Sequence, residues 1–208
     1  MIGWRIMEGK AILGKYLPPA LVDPISDWFK NHRALLKIAS ARSSKLGDYR
    51  PPFKGLPHRI SVNHNLNQHE FLITLIHEMA HLLCFEKHGR RAKPHGKEWK
   101  LQFSNLYDEL KAPDVLPPEV HQAMKLFFNP ETTYRKGNAM LKPVLRKYDP
   151  HSVLVAVEDV SDGGIFLFNR KLFRKVRKVR TRHQCMCLNN NRMYVFSPQA
   201  RVLPEQTI

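Results

Sequence analysis

One stretch constrains this chain more than any other: Asn67 to His88, with His77-Glu78-Met79-Ala80-His81 at its middle. Phe71, Leu72, Leu75, Ile76, Met79 and Leu82 recur at helical spacing. The pattern predicts a helix of roughly twenty residues, apolar on most of its sides. Such a helix must be buried, so the domain has to be built around it. Asn67 suits its N-cap, with Glu70 three residues on. Lys87 and His88 suit the last turn, and Gly89 suits the turn that ends it. On this helix His77 and His81 lie one turn apart on one face, so two imidazoles reach one metal ion. Glu78 falls beside the first of them. This H-E-x-x-H spacing holds zinc and sets a carboxylate next to the water that the metal binds. A core helix with two incidental histidines is the plainer reading, and the position of Glu78 argues against it.

A catalytic zinc takes three protein ligands and leaves one position open to water. The best candidate for the third is His95, in Pro94-His95-Gly96-Lys97-Glu98-Trp99. It follows a basic loop, Gly89 to Lys93, and opens a second periodic segment marked by Trp99, Phe103, Leu106 and Leu110. Gly96 leaves room for close approach of the backbone. Taken alone, His95 reads more readily as a surface or capping residue.

These residues together carry a family resemblance. HEMAHLL followed by KPHGKEWK resembles the SprT-like zinc metalloproteases, the group that includes the Spartan-type DNA–protein crosslink proteases. The likeness runs from about Trp28 to Leu110, and RISVNHNLN is similar to the family's strand before the active-site helix. The resemblance implies that His77, His81 and His95 ligate one catalytic Zn2+ and that Glu78 is the general base. It implies a zincin-like α+β domain, a small sheet leading into the active-site helix. It also implies a substrate class, since Spartan-type relatives digest proteins attached to DNA and need DNA for activity. The C-terminal region departs from the family, many of whose members end in a zinc ribbon with two cysteine pairs. Here Cys185-Met186-Cys187 has no second pair downstream. A strand is expected to divide those two sulfurs between its faces, so at least one belongs to the core and no second zinc is expected. Cys84 is expected to be a small buried apolar residue.

Around the central stretch the chain reads as follows. Residues 8 to 36 suggest helices broken by Pro18-Pro19 and Pro24, with Leu21, Ile25, Trp28 and Phe29 as a stripe that faces the core. LLKIASAR, KLGDYRPPF and HRISVN suggest three short strands. His58 to His64 is the candidate edge strand, able to hold an extended substrate by backbone hydrogen bonds. A helix from Trp99 ends near Lys111, and another begins at Pro117-Pro118. Residues 1–130 thus form the catalytic domain, and the polar stretch 131–150 reads as a linker. Residues 151–208 carry five or six short strands, SVLVAV, GIFLF, FRKVRKVR, HQCMCL, MYVF and ARVL. They suggest a small basic β-barrel of the SH3-like kind.

Charge bears on the partner. The 208 residues carry a net charge of +16, with an isoelectric point near 10.0. Such a field draws polyanions. Nucleic acid is favoured over an anionic membrane, because no amphipathic basic helix is visible. Lys171 to Arg182 is the densest basic stretch, and one bulge would make it amphipathic. A charged edge strand that only blocks aggregation is the bland alternative. The candidate nucleic-acid contacts there are Lys171, Arg174, Lys175, Arg177, Lys178, Arg180 and Arg182. Those in the first domain are Arg42, Lys45, Arg90 and Arg91, with Arg50 and Arg59 on the same basic face. Three cysteines are too few for a disulfide framework. The N-terminus lacks the pattern of a secretory signal, and no apolar run is long enough to span a bilayer. A cytoplasmic protein is expected, nucleoid-associated if it binds DNA.

The expected chemistry is zinc-assisted peptide hydrolysis on DNA-associated or DNA-crosslinked proteins. A DNA-independent zinc peptidase and a nucleic-acid-binding protein with a purely structural zinc are the alternatives. His64, His69 and Tyr49 are each candidates for stabilising the oxyanion, and spacing does not choose among them.

Overall fold

The computed structural model describes residues 6–42, 44–149 and 154–205. The chain divides into two compact units, with the division between Asp149 and Pro150. The first unit opens with helices α1 (Ile6–Leu13) and α2 (Pro19–Asn31). Pro24 was expected to break the chain here, yet it lies inside α2. A proline there removes one backbone hydrogen bond. Leu21, Ile25, Trp28 and Phe29 bury a full stripe in exchange, and that burial outweighs the lost bond.

Three strands follow where expected: β1 (Ala34–Ala39), β2 (Gly47–Arg50) and β3 (His58–Asn63). Their order is β1-β3-β2, with β1 parallel to β3 and β2 antiparallel to it. The expectation of β3 as the edge is therefore wrong. Ile60 and Val62 make β3 the strand most in need of cover, so it takes the centre. The four residues of β2 are half-buried or exposed, and β2 is an outer strand, as is β1. The loop before β2 is tied to β3. Asn63 donates to the carbonyls of Arg42 and Lys45, and Arg42 donates to Asn63 and Ser61.

Helix α3 (Gln68–His88) is the centre of the unit. Asn67 Oδ1 accepts the backbone N–H groups of His69 and Glu70. Gly89 ends the helix at φ +62°, a left-handed conformation that suits glycine. Helix α4 (Lys97–Glu109) buries Trp99, Phe103, Leu106 and Tyr107, and α5 (Pro118–Phe128) buries Val120, Ala123, Met124 and Phe127.

Helix α6 (Tyr134–Arg146) occupies the stretch expected to be an irregular linker. Thr133 Oγ1 caps it by accepting the Lys136 N–H. Leu141 and Leu145 enter the same core as α2, α3, α4 and α5. Gly137 allows the contact with α5, since a Cβ there would stand 3.0 Å from Cγ of Phe127. The first unit therefore runs past residue 130, and α6 is one of its walls.

The second unit holds β4 (Val155–Ala156), β5 (Ile165–Phe168), β6 (Lys171–Val179), β7 (Arg182–Cys187), β8 (Met193–Phe196) and β9 (Arg201–Pro204). They form one antiparallel sheet in the order β4-β9-β5-β6-β7-β8. Among the described residues no pairing joins β4 to β8. The expected strand from Ser152 lies partly outside the described residues, and within them only Val155 and Ala156 are extended. Phe166, Phe173, Cys185, Cys187, Phe196 and Val202 make a small core. Both sulfurs are in it, so the expected division of Cys185 and Cys187 between two faces is wrong. Residues two apart in a strand share a face. The register shifts between Lys175 and Arg177, which supplies the bulge that the sequence pattern called for.

Candidate metal centre

His77 and His81 project from one face of α3, and His95 reaches the same point from the loop before α4. The three Nε2 atoms stand 3.1 to 3.2 Å from one another, and the three rings form the one group of potential metal ligands among the described residues. Nitrogens at about 2.0–2.1 Å from a tetrahedral zinc are spaced by about 3.3 Å. The donor set therefore fits a zinc ion: three neutral imidazoles converge, and a further position remains open toward a cleft. Convergence without an ion is electrostatically poor, because three ring nitrogens face each other at hydrogen-bond distance with too few protons to share. Burial and the neighbouring imidazoles hold His77 well below the ordinary histidine range, and burial with His95 pushes His81 down to about 4. Burial also lowers His95. Neutral rings are what a metal requires.

The position of His95 depends on its backbone, which lies at φ +57°. A left-handed histidine is uncommon and carries some strain. It turns the imidazole back toward α3. Gly96 makes the tight turn possible, as a Cβ there would stand 2.9 Å from the Lys93 carbonyl oxygen. Trp99, the first buried residue of α4, forms the floor, with ring centroids 4.6, 5.3 and 4.8 Å from His77, His81 and His95.

Glu78 is buried on the β2 side of α3. Burial pushes its carboxyl up to about 8, Asp48 adds to this, and Arg42, Lys45 and a hydrogen bond from the Tyr49 backbone N–H oppose it. The carboxylate packs against Gly47, where a Cβ would lie 2.7 Å from Glu78 Cγ and 2.9 Å from Cδ. The register explains this closeness. Asn63 N–H donates to the Leu46 carbonyl, so residues 46, 48 and 50 turn their backbone toward β3. Gly47 and Tyr49 then turn theirs outward, toward Glu78 and the cleft.

That cleft has a volume of about 580 Å³. It is lined by residues 44–49, by the three histidines and Glu78, and by Tyr134, Asn138, Leu141 and Lys142 of α6. Tyr134 stacks on His95, with centroids 3.9 Å apart and planes 6° apart. Sequence reasoning missed this wall. Its signal was the spacing of Tyr134, Gly137, Asn138, Leu141 and Leu145, masked by a glycine and by Pro143.

The three residues considered for the oxyanion do not fit. The Tyr49 hydroxyl is bonded to His58 Nδ1 at 2.9 Å. The His69 ring packs on Tyr148 at 4.6 Å, and His64 is exposed at the end of β3. Neither histidine lines the cleft.

Two of the expected nucleic-acid contacts are also corrected. Lys175 is buried, and its Nζ donates to the carbonyls of Val160 at 2.6 Å and Glu158 at 3.1 Å. It stands opposite Cys185 on the core face. Arg42 spends its donors on Asn63, Ser61 and the Leu46 carbonyl. Lys45 is exposed and pairs with Asp48. Arg90 and Arg91 sit exposed in a 3-10 turn after α3. Lys171, Arg174, Arg177, Lys178, Arg180 and Arg182 are exposed along β6 and its turn into β7.

A helix-borne histidine pair, a third histidine from the following loop and a buried carboxylate on an open cleft define a metallopeptidase-like domain. Residues 26–122 match the model of the SprT-like family. Protein SprT of Pseudomonas fluorescens (strain SBW25) is 38% identical over 53 residues, 26% of this chain and 28% of that protein. Protein SprT of Klebsiella pneumoniae (strain 342) is 51% identical over 41 residues, 19% of this chain and 24% of that protein. The matched stretches thus span less than a third of these relatives. No solved structure matches the chain.

Proposed function

We propose that this protein is a zinc-dependent endopeptidase that acts on extended segments of proteins associated with nucleic acid. The observation that carries the peptidase reading is Glu78, a buried carboxylate set against Gly47 in the same open cleft as the three convergent imidazoles. A structural zinc site is closed by four protein ligands, whereas this one faces a cleft. Zinc held by His77, His81 and His95 would supply Lewis acidity and a bound water of lowered pKa. Glu78 would accept a proton from the attacking water and return it to the leaving nitrogen. The outer edge of β2 offers the Gly47 backbone and the Tyr49 carbonyl to an extended substrate, the pairing by which sheet edges hold peptides.

The nucleic-acid part of the reading is supported by charge. Six exposed cations follow one another on β6 and its turn, and the net charge is +16. Among the described residues no helix is long and apolar enough to cross a membrane.

The test is cleavage of casein and of a DNA-crosslinked protein by the zinc-loaded chain, with and without added DNA. The wild type should cleave both, faster with DNA. Glu78→Gln should keep its zinc and lose on the order of 10²- to 10⁴-fold in rate. A Glu78→Gln protein that cleaves like wild type would sink the mechanism. Equal rates with and without DNA would leave a peptidase indifferent to nucleic acid.

A further inference from the structure

We propose that Tyr134 is a catalytic residue, its hydroxyl donating a hydrogen bond to the oxyanion that forms when the scissile carbonyl is attacked. The inference rests on the peptidase reading above. It does not rest on family likeness, because Tyr134 lies outside the matched residues 26–122.

Three observations carry it. First, place: Tyr134 lines the same cleft as residues 47–49 of β2 and as His77, Glu78 and His81. A carbonyl held over the histidines therefore shares the cleft with the Tyr134 phenol. Second, rigidity: the phenol ring lies flat on His95 and stands 5.7 Å from both His77 and Trp99, centroid to centroid. Oxyanion donors are effective when they need not reorganise as charge develops, and a ring stacked on a fixed imidazole meets that condition. Third, choice: of the two tyrosines that line the cleft, Tyr49 has its hydroxyl bonded to His58 Nδ1 at 2.9 Å, which leaves Tyr134.

The step balances without any further reactant. The water oxygen bonds to the carbonyl carbon while Glu78 accepts the water proton. The π pair of the C=O moves onto oxygen, and Tyr134 stabilises that charge while keeping its own proton. The C–N bond then breaks as the pair returns, and Glu78 delivers its proton to the nitrogen.

Tyr134→Phe removes the hydroxyl and keeps the ring. The experiment uses the full zinc-loaded chain and three readouts: zinc retained after dialysis, casein kinetics, and affinity for two ligands. The ligands share a sequence that the wild type cleaves in casein. One is its phosphinic pseudopeptide, which presents tetrahedral oxygens, and the other is the cleaved product peptide. The variant should retain its zinc. Its kcat should fall on the order of 10²-fold, with KM changed less than about twofold. Phosphinate affinity should fall by a similar factor while product affinity holds. Wild-type kcat and phosphinate affinity in Tyr134→Phe would overturn the assignment. So would loss of zinc, which would make the hydroxyl a support of the metal centre. A zinc-loaded wild type that cleaves no casein overturns the peptidase reading itself, and the role of Tyr134 with it.

Discussion

Gly47 shows how one missing side chain positions a reactive one. Its φ lies outside the left-handed region that Gly55, Gly89 and Gly163 adopt, so its backbone conformation does not require glycine. The requirement comes from Glu78, whose Cγ and Cδ would lie 2.7 and 2.9 Å from an added Cβ. Glu78 has little room to retreat, being buried on α3 and bonded to the Tyr49 N–H. Gly47→Ala should therefore displace the carboxylate or the strand. The expected outcome is retained zinc, because no ligand is touched, with kcat at least about tenfold lower. Overpacking of this kind costs about 1–3 kcal/mol of stability, to be read from denaturant unfolding. Wild-type kcat in this variant would show that β2 yields instead. Gly55 is the contrast: it has φ +79° and nothing within 4 Å of its Cβ position, so alanine there should strain the backbone and leave kcat alone. At this scale His77, Glu78 and His81 were legible, because their relation is fixed by helical spacing alone. His95 was legible as a candidate from the loop and periodic segment around it, and the family resemblance singled it out. Its direction depends on a left-handed backbone at one residue, which periodicity does not encode.

Among the elements, α6 was the least legible and matters greatly to the cleft. Gly137 and Pro143 are residues that interrupt helices, and together they made 131–150 look irregular. Packing reverses that inference. Gly137 lets α6 press on Phe127, and Pro143 is exposed. The strand order was hidden for a related reason. Three short runs of similar composition do not say which is central, and the answer came from which run had most to bury. Asn67 joins these elements. Its cap on α3 was readable from sequence, but its second role was not: Nδ2 donates to the Leu145 carbonyl at 3.0 Å and to Asp149 Oδ1 at 2.8 Å. One side chain thus fixes the start of the metal helix to the end of α6. Asn67→Ala removes a cap, worth about 1 kcal/mol, and two further hydrogen bonds of about 1 kcal/mol each. A loss of about 2–3 kcal/mol in chemical denaturation is expected. Asn67→Asp keeps the cap acceptor and loses the donors to Leu145 and Asp149, so it should recover only the cap's share. Equal stability of Asn67→Ala and wild type would show that α6 docks without this tether.

For the whole molecule, the two units have separate cores. One gathers residues from Leu13 to Leu145, the other from Val157 to Val202. That separation makes the chain divisible, provided the cut respects α6. A cut at residue 144 would remove Leu145 and the Asn67 tether, whereas a chain of residues 1–149 keeps both. It also keeps His77, Glu78, His81, His95 and Tyr134, so it should fold, hold zinc and cleave casein. Residues 150–208 carry ten Lys and Arg against four Asp and Glu, and the six exposed cations of β6 and its turn go with them. Each phosphate that those cations neutralise adds about −0.9 to the slope of log affinity against log salt on duplex DNA. The truncated chain should therefore bind duplex DNA more weakly, with a shallower slope, and its cleavage should respond less to DNA. Arg174→Ala with Arg177→Ala in the full chain should move both quantities the same way by a smaller amount. Unchanged affinity and slope in residues 1–149 would place the polyanion surface on the first unit. Arg42 has its donors committed there and Lys45 is paired with Asp48, which leaves Arg90 and Arg91 beside the metal helix as the contacts to mutate next.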